Sequence, residues 1–218
     1  MFALEQSNVR PDSLAQFVPP TGDEALIEDA RQGDIAAFND IVLRHETAVY
    51  GLCLRFLANT EAAADAVQET FVAAFRHLSG FRGGNLRSWL LHIAANRCRD
   101  ELRRRRSRPT TSLDELMDEA EGLAIAADEG ETPEEAALRH ERSRSLAQAM
   151  RTLSPDQRLA VLLCDVEGLD YLHAAQVMGC SLGTVKSRLS RARAHLRDWL
   201  RERELLPAVR RLDMGEDG

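Results

Sequence analysis

The chain of 218 residues carries a formal net charge of -7, with 44% hydrophobic and 5% aromatic residues and four Cys. Those cysteines, at positions 53, 98, 164 and 180, are too few and too scattered for a disulfide framework or a CxxC zinc site, so a reducing cytosol is the expected setting. There is no basic-then-apolar leader and no run near the ~18 apolar residues of a membrane span, so neither export nor membrane insertion is expected.

Residues 1–21 lack periodicity, end near Pro19-Pro20 and are expected to form a disordered arm. Thr21-Gly22-Asp23-Glu24 fits a capping box, with Thr21 as N-cap and Glu24 at N3, which predicts a helix start. Gly33-Asp34 punctuates it. A second helix is predicted over about 35–58, where Ile35, Phe38, Val42, Val49, Leu52 and Phe56 recur at helical spacing. Asn59-Thr60 predicts a cap for a third helix, 61–78. Val67, Phe71, Val72 and Phe75 form its apolar stripe, with Asp65, Gln68 and Glu69 opposite. A glycine-rich turn, 79–84, leads to a fourth helix capped by Asn85. There Leu90, Ala94, Cys98 and Leu102 are predicted to face the core, while Asn96, Arg99 and Arg103 share another face. Trp89, with Ile93 one turn on, is expected in the core. The helix should end before Pro109.

Residues 109–132 are acidic and are expected to form a flexible linker, with a possible short helix near 113–117. Thr132-Pro133-Glu134-Glu135 and Ser154-Pro155-Asp156-Gln157 are both helix starts with Pro at N1 and an N3 acceptor. The second of these helices should run to Gly168. Asp170 predicts a cap for a short helix, 171–178, with His173 at N3 expected to be neutral and on the surface because a charged imidazole is disfavoured at a helix N-terminus. After a turn at Gly179-Cys180, Ser181 should cap a last helix reaching about Leu205. No strand-period alternation is present, so the expected fold class is all-α. The folded units are expected at 22–108 and 133–205, with a tail at 206–218.

The net charge hides strong segregation. Of 28 basic residues 27 are Arg, Lys186 being the exception. Residues 76–108 hold ten Arg against Asp100 and Glu101, a local +8; residues 109–135 hold ten acids and no base, a local -10. Residues 182–203 hold seven bases against Asp198 and Glu202, a local +5. Two basic blocks on either side of an acidic stretch point to two polyanion-binding surfaces on a tether.

The short helix containing Ala175, the turn at Gly179 and the longer helix with Val185 and Leu189 inward form a helix-turn-helix pattern. Ala175 leaves room where the helices cross, and Gly179 supplies positive φ. Thr184, Lys186, Ser187, Arg188 and Arg191 occupy the first turns of the second helix, the part that enters a major groove. Arg188 or Arg191 suits guanine O6 and N7, while Ser181, Ser187 and nearby backbone amides suit phosphates.

Four motifs occur in order: Asp65-Ala-Val-Gln68-Glu69-Thr70-Phe71, Phe81-Arg82-Gly83-Gly84, Trp89 to Asn96, and Gly183 to Arg193. On them the chain resembles bacterial RNA polymerase sigma factors, in particular the extracytoplasmic-function group of the sigma-70 family. The resemblance covers about 23–203 without the linker. It implies a sigma region-2 helical bundle and a region-4 helix-turn-helix joined by the linker. It further implies that Asp65, Gln68, Glu69 and Phe71 dock on the β′ clamp helices of core RNA polymerase. Residues 79–104 then recognise and open a minus-ten element, with Arg82, Asn85, Asn96, Arg97, Arg99, Arg103 and Arg104 on DNA. Arg97, Arg99, Arg103 and Arg104 suit a single-stranded backbone, and Asn96 a base edge. The final helix would read a minus-thirty-five element, and the second unit would also engage the β flap.

The resemblance suggests an anti-sigma factor as a further partner. It places the acidic linker near the RNA channel, although a plain tether explains its composition as well. Asp170-Tyr171-Leu172-His173 departs from the usual glutamate-containing start of that helix, and the arm at 1–21 has no counterpart. No cofactor or metal is expected, since His45, Glu46, His77, His92 and His140 form no ligand cluster, and no enzymatic activity is expected. The alternative function is a stand-alone helix-turn-helix regulator binding operator DNA as a dimer, against which the second Arg-rich block stands. The expected location is cytoplasmic, at the nucleoid when in holoenzyme, and buried reduced thiols are expected rather than a redox switch.

Overall fold

The computed structural model describes residues 22–107 and 132–203. The expected arm at 1–21, the linker apart from Thr132, and the tail at 206–218 lie outside the described residues. Among those described there are eight α-helices and no strand: α1 (Asp23–Arg31), α2 (Ile35–Leu57), α3 (Thr60–His77), α4 (Leu86–Ser107), α5 (Pro133–Thr152), α6 (Pro155–Val161), α7 (Tyr171–Met178) and α8 (Leu182–Glu202).

The caps follow local chemistry in all but one case. Asp34 accepts from the amides of Ala36 and Ala37, Asn59 from Ala62 at 2.7 Å, and Asn85 from Ser88 at 2.9 Å. Each satisfies an amide that has no partner inside its helix. The exception is α1. Thr21, the expected N-cap, lies outside the described residues, and Gly22 takes the N-cap position at φ 140°, with no side-chain cap. The Asp23 carboxylate is buried, accepting from Arg44 at 2.6 Å and meeting His45 Nε2 at 3.2 Å, which fastens the start of α1 to α2. A Cβ on Gly22 would meet the Arg44 guanidinium at 2.9 Å.

In the first bundle α2 packs on α3 and α4, α3 on α4, and α1 on α2. Ile41, Leu52, Phe56, Leu90, Leu91 and Cys98 are fully buried there. Each large apolar side chain contributes about 1.5–3 kcal/mol by leaving water. The expected stripes need correction. Ile35, Val72 and Phe75 face solvent, at 65%, 43% and 48% exposure. The inward face of α3 is instead Ala62, Ala63, Ala66, Thr70, Phe71 and Ala74. Small side chains allow close approach of α3 to its neighbours, which turns Val72 and Phe75 outward. Phe75 is left edge-on to Phe38 at 4.9 Å. Trp89 is half-buried against this core and contacts Phe81 at 5.2 Å.

In the second bundle, full capping boxes open α5 (Thr132 with Glu135) and α6 (Ser154 with Gln157). The helix expected to continue to Gly168 changes character. After Val161 it becomes one π-helical turn, Leu162–Val166, closed by the Glu167 amide donating to Leu162 O at 2.9 Å. The wider turn brings Glu167 inward, where it is buried. Asp170 then caps α7, Gly179 turns at φ 62°, and Ser181 caps α8.

The two bundles share one continuous core. α4 packs against α7, and α2 against α6 and the π-helical turn. Arg158 bridges them, donating to Phe56 O at 2.8 Å and to Met150 O at 2.9 Å.

Candidate nucleic-acid and polymerase interfaces

The helix-turn-helix owes its geometry to small residues and caps. Ala174 and Ala175 are buried where α7 meets α8, and Val185, Leu189 and Ala192 form the inner face of α8. Ser187 and Arg191 are exposed, with Thr184 and Arg188 half-buried on the same side. Thr184 donates its amide to Ser181 Oγ at 3.1 Å, and Ser187 Oγ donates to Thr184 O at 3.0 Å. Ser181 is therefore occupied as a cap and offers a phosphate less than expected. Arg188 holds Asp156 of α6 at 2.5 Å, while Arg191 makes no ion pair among the described residues. Lys186 points to the other side, 5.9 Å above the Tyr171 ring, in a groove completed by Arg193 and Arg197. Arg193 makes a two-point contact with Asp165, at 2.5 and 3.1 Å.

His173 has company that the sequence reading gave no weight. Its amide and its Nδ1 both meet the Asp170 carboxylate, at 2.9 and 2.8 Å. These hydrogen bonds and the nearby imidazole hold the Asp170 carboxyl below its ordinary range against the opposing pull of desolvation, the largest single influence.

On α4, Asn96, Arg103 and Arg104 are exposed, and Arg82 is exposed in the loop where Gly83 and Gly84 adopt φ 90° and 96°. Arg103 pairs with Asp100 at 3.4 Å and Arg104 with Glu101 at 2.5 Å. The exposed Arg103–Asp100 pair contributes only ~0.3–0.5 kcal/mol, so a phosphate can displace it, whereas the Glu101 carboxylate is largely buried. Asn85 is occupied as the cap of α4. Arg99 accompanies Asn96 at 3.2 Å as expected, but it also donates to Met178 O of α7 at 3.4 Å. The last carbonyls of a helix carry partial negative charge, which explains the attraction.

On α3, Asp65, Gln68 and Glu69 are exposed and form one face with Arg97, which lies 4.0 Å from Glu69. Phe71, at 8% exposure, belongs to the core as its place on the apolar stripe predicts, and lies beneath the docking face on which the resemblance put it.

Residues 41–108 match the family described as Sigma-70 region 2, and residues 143–196 match Sigma-70, region 4. The RNA polymerase sigma-H factor of Pseudomonas aeruginosa is 38% identical over 174 residues, covering 78% of this chain and 90% of the relative. The chain belongs to the extracytoplasmic-function sigma factors of the sigma-70 family. The Haemophilus influenzae ECF RNA polymerase sigma-E factor is 36% identical, covering 78% of this chain and 91% of the relative. Among solved structures, the Bartonella quintana sigma factor RpoE in complex with the anti-sigma factor NepR matches at TM-score 0.60. It is 29% identical and covers 77% of this chain and 98% of that one. CnrH in complex with the cytosolic domain of CnrY also matches at 0.60 and 29% identity, covering 83% of this chain and 97% of that one.

Sigma factors are specificity subunits of transcription initiation and not enzymes. The α-helical bundle of α1–α4 contains the region-2 match and α5–α8 the region-4 match. In this sigma factor the groups that sequence reasoning missed are carboxylates and their partners: Asp156, Asp165, Glu167 and Arg87. A single Glu before Gly168 reads as an ordinary helix end. Its π-turn placement and its partner, 80 positions earlier, leave no local signature. Among the described residues no helix is long and apolar enough to cross a membrane.

Proposed function

We propose that this sigma factor binds core RNA polymerase and carries two promoter-reading surfaces to it. The first is the loop and helix from Arg82 to Arg104, with Asn96 on an unpaired base edge and Arg97, Arg103 and Arg104 along the melted strand. The second is the Thr184, Ser187, Arg188 and Arg191 face of α8 in the major groove of an upstream element. Asp65, Gln68 and Glu69 meet the β′ clamp helices, and the region-4 bundle meets the β flap. The observation that carries this reading is the capped helix-turn-helix with its basic outer face in the region-4 segment of a chain that also contains region 2. Polymerase would hold both readers at once, so two modest DNA contacts act together through effective concentration.

The complexes of RpoE with NepR and of CnrH with CnrY support an anti-sigma partner for this chain as well. The family supports a cytoplasmic location, at the nucleoid when in holoenzyme. Gel filtration with purified core RNA polymerase tests the docking face: wild type co-elutes, and Asp65→Arg with Glu69→Arg does not. Co-elution undiminished by both reversals would contradict the assignment of that face.

A further inference from the structure

Lys186 is the cation that the reading face of α8 leaves out, and it is the single Lys among 28 basic residues. Its Nζ lies 5.9 Å over the Tyr171 ring, in the groove that Arg193 and Arg197 complete. Lys186, Ser190, Arg193 and Arg197 follow one another at helical spacing, so they form one exposed stripe along α8. Arg193 is held by Asp165, and Arg197 approaches the carboxylate of its neighbour Asp198 at 3.8 Å. Lys186 has an aromatic face beneath it and no carboxylate among the described residues. A row of cations beside an aromatic ring is a docking site for carboxylates in need of a partner.

We infer that the acidic end of this chain's own C-terminal segment, Asp213 with Glu216 and Asp217, occupies this groove and screens that flank of α8 from other polyanions. The segment lies outside the described residues, and charge and reach both favour it. Lys186 and Arg203 are seventeen residues apart on one helix, ~25 Å along the axis at ~1.5 Å per residue. Asp213 follows Arg203 by ten residues, up to ~33 Å of extended chain at ~3.3 Å each. Pro207 has no amide with which to extend the helical ladder, so the chain is released to turn back. The order of charge also matches. Arg210 and Arg211 come first in the segment and fall within reach of Asp198 and Glu202, with Arg201 between them; the three acids then meet Arg197, Arg193 and Lys186. Tethering to the same helix gives the segment a high effective concentration. Each exposed pair is weak, so a phosphate backbone can displace the segment. None of this depends on which promoter surface α8 reads.

Because Lys186 is the only Lys, carbodiimide coupling of the full chain, which joins a lysine amine to a carboxylate in contact with it, reports on this groove alone. Peptide mass spectrometry of the monomeric product should find Lys186 joined to Asp213, Glu216 or Asp217 at ~0.1 M salt and not at ~1 M, where the screening length falls to ~3 Å. Coupling to acids of residues 109–131 or 1–21, coupling between two chains, or no coupling at Lys186 would overturn the assignment. The screening is read on a duplex without promoter sequence. Asp213→Asn, Glu216→Gln and Asp217→Asn together should tighten binding of the full chain by about three- to tenfold. In a Lys186→Gln, Arg197→Gln background the same three substitutions should change nothing. A gain that persists in that background would come from net charge alone and would overturn the screening.

Discussion

Arg188, in the second turn of α8, is held by the carboxylate of Asp156 in the first turn of α6, 32 positions earlier and 2.5 Å away. The pair aims a guanidinium that would otherwise sweep a wide arc, and a fork held by one carboxylate still has donors for a guanine edge. Arg188→Ala is expected to remove ~1–3 kcal/mol of discrimination at a single upstream base position. Asp156→Ala should leave binding strength nearly intact but broaden the bases accepted there. Sequencing of run-off templates selected from a randomised upstream library distinguishes the two outcomes.

The burial of His45 makes stability pH-dependent. Burial is the largest influence on His45 and lowers its pKa from ~6.5, with Asp23 opposing and Arg44 and Arg87 assisting. His92 is lowered as well, chiefly by burial. A base whose folded pKa is depressed binds fewer protons when folded, so stability rises with pH across that interval. It is complete above ~6.5 and is lost as pH falls through the folded values. His45→Gln should flatten part of this dependence, leaving the share due to His92. Thermal melts between pH 7.5 and pH 5, ~0.5 unit apart, read the slope directly.

Helix boundaries were readable because their causes are local. Asp34, Asn59, Asn85, Ser154, Asp170 and Ser181 each cap the helix that follows within a few residues, and Gly179 adopts the left-handed turn that its position between α7 and α8 demands. The exposed faces Asp65, Gln68, Glu69 and Ser187, Arg191 also follow from helical spacing. What spacing could not give is which apolar stripe wins. On α3 a run of alanines competes with Val72 and Phe75, and close packing favours the alanines. Charge counts were blunter still. The ten Arg of residues 76–108 are partly neutralised by Asp100 and Glu101 within the segment and by Glu69 and Glu167 from distant sequence, which the local count of +8 does not include. Gly22 stands at the N-cap of α1, where Asp23 is engaged by residues of α2, a tertiary contact with no local trace.

The cysteines have a measurable consequence. Cys53 and Cys98 are fully buried side by side, and the hydrogen bond with Cys53, with burial after it, raises the Cys98 thiol. The Cys164 thiol is pushed up to about 11, mainly by burial and by Asp165. At pH 8 the thiolate fraction of Cys164 is then roughly two orders of magnitude below that of a free cysteine. Alkylation followed by mass spectrometry should find Cys164 modified about tenfold more slowly than in the unfolded chain, the higher nucleophilicity of a more basic thiolate offsetting part of the lost fraction. Equal rates would place the thiol in a different environment from the one described.

As proposed above, one chain supplies core polymerase with two separate promoter-reading surfaces. Run-off transcription with core RNA polymerase, with and without this protein, on a library randomised at upstream and start-proximal positions tests it most directly. Start-site selectivity is expected to depend on the protein, with Arg188→Ala altering preference only upstream and Asn96→Ala only near the melted segment. Core that gains no selectivity, from a protein that shifts duplex DNA alone, would contradict it.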